Sequence, residues 1–296
     1  MKLFLLYNPH AARKRATKLW PEIKQTLDAR GIDYEIVFTE APGHGEETIA
    51  QLDFSRYDAL VAAGGDGTVY ELVNGWFRNP ASQRPPVGIL PIGTGNAFVR
   101  DLDLKTGQWQ QALELILAGK TEMVDVGCYS EQGSKRYFLN VLGLGFVTAV
   151  GQTAAKLKII GNLSYTVGVF HRLIKLDTYS LTLGIAEGER EVEVLFLEIS
   201  NSRYTSNFLM APNASLTDGL LDVTILKPMS RRQLIANFPK IFTGEHLSLP
   251  EVEAFTTSQL RISTPAPLLL SPDGELTGHT PIEVSCIPRV LPVFHP

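Results

Sequence analysis

The sequence predicts an α/β chain of two domains: a parallel sheet layered with helices, then an antiparallel, β-sandwich-like domain. Three observations predict it. Up to about residue 122, short apolar strand runs alternate with helical intervals, the pattern of parallel strands covered on both faces. Glycine-bearing turns directly follow the third and fourth of these runs. Beyond residue 122 the strand runs are mostly short and divided by turn residues, which favours antiparallel pairing.

The elements follow in order. Residues 3–7 read as a buried strand and residues 16–29 as a helix ended by Gly31. A second strand at 34–38 leads to a short helix at 46–52. The third strand, 58–63, runs into a glycine turn and a helix at 69–77; the fourth, 87–90, runs into a second glycine turn, with a helix at 109–117 further on. The later strands are expected at 123–129, 136–142, 179–185, 192–200, 220–226, 259–263, 268–271 and 281–287. Helical intervals at 147–176 and 231–242 interrupt them. The expected division is residues 1–124 and 125–287, with a cleft between the two domains.

Composition narrows the function classes. The 296 residues suffice for one large or two medium domains. With 27 basic and 31 acidic residues, a net charge of −4, no cationic field marks a nucleic-acid partner. Cys128 and Cys286 are the only cysteines, which fits two buried thiols in a reduced, cytoplasmic setting. Residues 3–7 are too short for a secretory core. The longest uncharged stretch, between Arg136 and Lys156, is broken by Gly143, Gly145 and Gly151, unlike a spanning helix. The expectation is a soluble protein.

The first glycine turn is the most informative segment. Gly64-Gly65-Asp66-Gly67-Thr68 follows a buried strand run and opens a helix. Glycines let the backbone approach an anion closely, and the helix start adds unpaired amides and a positive dipole end. Asp66 would repel bare phosphate, so it points to a metal ion, a water or a substrate hydroxyl. Two look-alikes carry no such weight. Gly119-Lys120-Thr121 lacks the leading glycine of a phosphate loop, since Glu114 stands there, and Gly119 reads as a helix C-cap. Gly143-Leu144-Gly145 lacks the third glycine of a dinucleotide fingerprint.

The longer string from Gly64 through Glu71, Asn74 and Gly75 resembles the diacylglycerol kinase catalytic-domain family of soluble lipid kinases, which includes bacterial lipid kinases and sphingosine kinases. The five-residue core is shared with NAD kinases; the continuation favours lipid kinases. The resemblance implies a Rossmann-like nucleotide-binding domain, a β-rich lipid domain, and a return of residues 288–296 to the first domain. It implies an ATP-dependent, Mg²⁺-requiring kinase of a lipid hydroxyl, diacylglycerol or sphingoid-type. Pro91-Ile92-Gly93-Thr94-Gly95-Asn96 matches a second nucleotide turn, although Ala97 stands where relatives often carry an acid. Asn8, before Pro9, and Thr39 match nucleotide contacts, and the usual glycine after Pro9 is missing. The expected nucleotide set is therefore Asn8, Thr39, Gly64, Gly65, Asp66, Gly67, Thr68, Glu71, Gly93 and Thr94.

The acceptor hydroxyl needs a base. Ser271-Pro272-Asp273-Gly274-Glu275 resembles the family's acidic element, with Glu275 favoured, Asp273 the alternative, and Asp66 a second choice behind its nucleotide–magnesium role. A plain Asp-Gly turn reads the same locally. Ser215, Asp218 and Leu220 resemble a loop holding a structural Mg²⁺ through one carboxylate and main-chain oxygens. Asp125 could join the acid network. Lys156, Lys158, Arg172 and Lys175, set among apolar residues, suit transient contact with an anionic membrane surface. The expected partners are a lipid at that surface and, as an open option, a second copy of the chain. The rivals are a NAD kinase and a nucleotide-binding regulatory module without turnover.

Overall fold

The all-apolar run Leu3–Tyr7 becomes a central strand because a neighbour on each side satisfies its backbone. The computed structural model describes residues 1–146, 148, 176–186 and 188–296. Its first unit comprises Met1–Val124 and Arg289–Pro296, and its second Asp125–Pro288.

In the first unit, β1 (Lys2–Tyr7) pairs in parallel with β2 (Asp33–Phe38) and β3 (Ala59–Gly64), and β3 pairs in parallel with β4 (Val87–Pro91). All of β3 and β4 is buried, whereas edge strand β2 is buried only in part. α1 (Ala11–Ala29) packs Trp20 edge-on against Tyr7 and Phe38. Tyr7 donates its hydroxyl to Ala16 O at 2.7 Å, and burial pushes that phenol up to about 12. α2 (His44–Gln51) and α3 (Asp66–Arg78) lie against each other, and α4 (Trp109–Ala118) packs on β4. Gly119 caps α4 at φ +72°, with its amide on Ile116 O, so that glycine ends a helix. The start of α1 is irregular: Ala12, Arg13 and Lys14 all have positive φ. Regular helix thus begins near the expected residue 16.

The second unit is antiparallel. β7 (Val141–Gly145), β10 (Phe196–Ser200), β13 (Leu221–Leu226), β14 (Val252–Thr257) and β16 (Leu270–Pro272) form one sheet in the order β14-β13-β10-β7-β16. A second ladder joins β8 (Tyr179–Ile185) and β9 (Gly188–Val194) to β15 (Gln259–Ser263) and the opening residues of β17 (Ile282–Phe294). The closing residues of β17 belong to the first unit, where Val293 pairs with Val87. Leu144, Leu183, Leu197, Val223, Ile262 and Val284 belong to the core cluster of the second unit. The architecture is the predicted α/β class, a parallel-rich sheet followed by an antiparallel one.

Two expected single strands are each divided in two. Residues 136–142 supply β6 (Ser134–Phe138), which pairs with β5 (Thr121–Glu131), and then β7, which pairs with β10 and β16. Residues 192–200 supply the end of β9 and all of β10, parted at Leu195, whose amide bonds Leu226 O. In both places the chain leaves one ladder for another, and local apolar content does not reveal such a change. β14 and the hairpin of β11 (Tyr204–Thr205) and β12 (Phe208–Leu209) were not expected, being half-exposed or very short. The expected 231–242 helix is an α-helix to Asn237 and a tighter turn over Phe238–Phe242. Most of the 147–176 interval, with Lys156, Lys158, Arg172 and Lys175, lies outside the described residues.

Candidate active site

The two glycine turns of the first unit meet backbone to backbone. Gly93 N donates to Gly64 O at 2.8 Å, and Asn96 Nδ2 donates to the same oxygen at 2.9 Å. A Cβ on Gly93 would lie 2.3 Å from Gly65 Cα and 2.7 Å from Gly65 N. Only glycine fits there. Asp66 fastens the pair: its Oδ1 accepts from Ala97 N at 2.7 Å, and its Oδ2 lies 2.6 Å from where a Cβ on Gly95 would stand. Asp66 and Gly67 begin α3, where amides precede any intrahelical carbonyl and the dipole is positive. The arrangement can receive an anion on its amides and a cation on its carboxylate.

The other expected nucleotide residues surround this pair unevenly. Asn8 Nδ2 donates to Thr68 Oγ1 at 3.3 Å, and a Cβ on Gly64 would lie 2.1 Å from that hydroxyl oxygen. Thr39 is buried at the end of β2, with its amide on Tyr7 O at 2.8 Å. Thr94 is exposed. Glu71 accepts from Gly43 N and Gly45 N through its two oxygens, both at 2.8 Å. It therefore ties down the loop that starts α2.

Asn96 and Ala97 carry more of this geometry than the motif reading assigned. Asn96 has φ +53° and is buried, and its Oδ1 has no hydrogen-bond partner among the described residues. The signal for it was an asparagine ending a glycine turn, a residue that tolerates positive φ. Ala97 reaches Asp66 through its amide, which any residue other than proline supplies.

In the second unit, the acidic element forms a tight turn. Glu275 N donates to Pro272 O at 2.8 Å, with φ +47° at Asp273 and +87° at Gly274, the signature of a type I′ turn. Glu275 is exposed. Asp273 is buried, and its carboxylate accepts three amides, from Leu139 at 2.9 Å, Asn140 at 2.8 Å and Val141 at 3.0 Å. Burial pushes its carboxyl above the usual range, and those amide bonds oppose the shift. Its oxygens are engaged with the backbone, which sets it apart from the exposed Glu275.

The Ser215–Leu220 loop is also acidic. Asp218 is exposed and its Oδ1 accepts from Leu220 N at 3.0 Å, while Ser215 Oγ accepts from Thr217 N at 3.3 Å. Asp125 Oδ2 accepts from Gly219 N at 2.6 Å. Burial, then the charge of Asp218, pushes Asp222 up to about 6. A raised acid beside a second carboxylate suits a hard cation, which would relieve it. Among the described residues, no group of three or more His, Cys, Asp or Glu is placed to hold a metal, so a cation here would rely on main-chain oxygens.

Comparison with known proteins agrees with this architecture. Residues 2–129 match the diacylglycerol kinase catalytic domain, and residues 140–295 match the YegS C-terminal NAD kinase beta sandwich-like domain. A diacylglycerol kinase of Mycobacterium tuberculosis is 30% identical over 100% of this chain and 95% of its own length. One from Staphylococcus saprophyticus is 28% identical over 99% and 94%. A solved structure of a candidate diacylglycerol kinase from Bacillus anthracis str. Sterne superposes with a TM-score of 0.81 at 25% identity, covering 100% of this chain and 97% of that one. The chain belongs to the diacylglycerol kinase family, and is therefore an enzyme of the lipid kinase class. Among the described residues no helix is long and apolar enough to cross a membrane.

Proposed function

We propose that this enzyme transfers the γ-phosphoryl group of ATP to the hydroxyl of a lipid, diacylglycerol or a sphingoid-type alcohol, that it visits at a membrane surface. The observation that carries the reading is the packing of Gly93 against Gly65 with Asp66 bonded across to Ala97 N. Such a cradle brings amides close to a triphosphate without side chains intervening. Asn8 and Thr68, bonded to each other, stand at its edge as further phosphate partners.

Phosphoryl transfer is mostly alignment and charge neutralisation. Asp66 is the residue that would hold a magnesium ion, directly or through water, and such an ion would offset the negative charge developing on the phosphates. The Asp218 loop is the proposed place for a second, structural magnesium ion, with Ser215 and Leu220 giving main-chain oxygens. Glu275, exposed on its turn, accepts the proton of the lipid hydroxyl.

The test uses labelled ATP with dioctanoylglycerol, sphingosine or NAD as acceptor. Label is expected on a lipid, and Asp66→Ala and Glu275→Ala are each expected to nearly abolish it while both variants still fold and unfold cooperatively. Unchanged turnover in both variants would remove the assignment. Label on NAD alone would favour the rival suggested by the description of the matched C-terminal domain.

A further inference from the structure

We propose that Glu275 is aimed by a buried knot in which Asp273, Asn140 and Asn201 are positioning residues and Asp273 is the anchor. The proposal rests on reading Glu275 as the proton acceptor.

The knot forms where the chain passes from one sheet to the other. β6 ends at Phe138 and β7 begins at Val141, so the backbone between them leaves one ladder before it is fully engaged in the next. Its polar groups must find other partners, because a buried amide without one has lost its water with nothing in exchange. The donors find one residue: Asp273 Oδ2 takes Leu139 N, and Oδ1 takes both Asn140 N and Val141 N. Asp273 N returns a bond to Val141 O at 2.8 Å, so Asp273 grips the crossover in both directions.

The acceptors find another residue pair. Asn140 O receives Asn201 N at 2.8 Å and Ser202 N at 3.2 Å. The fully buried Asn201 also sends Nδ2 to Leu139 O at 2.9 Å and to Asp125 O at 3.0 Å. Through Asp125 the knot reaches the Ser215–Leu220 loop, since Asp125 N donates to Leu216 O at 2.7 Å and its Oδ2 accepts from Gly219 N.

Glu275 lies two residues beyond the anchor, across a turn whose central residues both hold positive φ. A type I′ turn with a fixed register leaves its backbone little choice of place. The buried contacts therefore set where the Glu275 carboxylate starts from, while its side chain stays exposed. Only an ionised carboxylate offers enough acceptor sites for three amides on one short side chain. Asparagine there would turn an NH₂ donor toward a backbone donor and lose at least one bond.

The test is Asp273→Asn in the full chain, assayed with magnesium, ATP and dioctanoylglycerol micelles beside Glu275→Gln. If the anchor aims the base, kcat falls by on the order of 100-fold, the effect of displacing a reacting group by about 1 Å. KM for ATP stays unchanged, and the acidic limb of the kcat–pH profile stays in place because Glu275 still titrates. Hydrogen exchange at the amides of 139–141 rises in the same variant. If Asp273→Asn does not fold, Asn201→Ala leaves the anchor and removes only the Nδ2 bonds; it is expected to lower kcat by about 10-fold at unchanged KM. Wild-type kcat alongside lost protection overturns the proposal, and so does retained protection at 139–141 whatever the turnover. Disappearance of the acidic limb in Asp273→Asn also overturns it, by making Asp273 the base. Wild-type turnover in Glu275→Gln is a different failure: it removes the base reading, and the exchange data still judge the anchor.

Discussion

Replacing Gly93 with alanine tests the contact on which the proposed nucleotide cradle depends. The new methyl would stand 2.3 Å from Gly65 Cα, 2.7 Å from Gly65 N and 2.9 Å from Gly64 O. Carbon atoms rest about 3.5–4.0 Å apart, so the turns must part by more than about 1 Å. The obstacles are backbone atoms, which cannot swing aside as a side chain would. Overpacking of this kind costs about 1–3 kcal/mol. The same displacement moves the amides that would meet the triphosphate, worth up to about 100-fold in kcat/KM for ATP. Urea unfolding reads the first effect and ATP-dependence of lipid phosphorylation the second. Gly95→Ala is the control: its methyl meets Asp66 Oδ2, the end of a flexible carboxylate, so its loss should fall on turnover more than on stability. A Gly93→Ala protein with the wild-type urea midpoint and wild-type KM for ATP would refute the reasoning.

The remaining predictions concern two carboxylates. Burial raises Glu198, whose partner is Thr205 Oγ1, to about 7, against about 4.3 in an unfolded chain. Between these values the folded chain keeps a proton that the unfolded chain has released, so stability is complete below the lower value and is lost as pH rises through the upper one. Glu198→Gln should therefore gain on the order of 3–4 kcal/mol over wild type at pH ~8 and little at pH ~4; the same difference in urea midpoint at both pH values would contradict this. Glu71→Ala should cost about 2 kcal/mol, because two charge-assisted bonds hold Gly43 and Gly45. Faster amide exchange at those two glycines is the specific sign.

Much of the fold was legible because its signals are local. Residues 3–7, 59–64 and 87–91 are apolar throughout, and a parallel sheet buries such strands completely. The glycine turns were legible for a related reason, since close backbone approach leaves no room for a side chain. The breaks at Leu139–Asn140 and at Leu195 were not legible. Each is apolar or neutral in sequence, and each becomes a boundary only because the strands on either side find different neighbours.

The candidate site divides in the same way. By itself the sequence determined that two glycine turns follow adjacent strands, that acids stand at 66, 273 and 275, and that the chain resembles lipid kinases. It left Asp273 and Glu275 as alternatives, since two carboxylates two residues apart on an Asp-Gly turn look alike in one dimension. Tertiary structure alone decided between their surroundings, burying Asp273 against three amides from 132 to 134 positions away while leaving Glu275 exposed. The physical reason is that a carboxylate's task follows from what satisfies its oxygens, and those partners come from distant strands that only folding brings within hydrogen-bond reach.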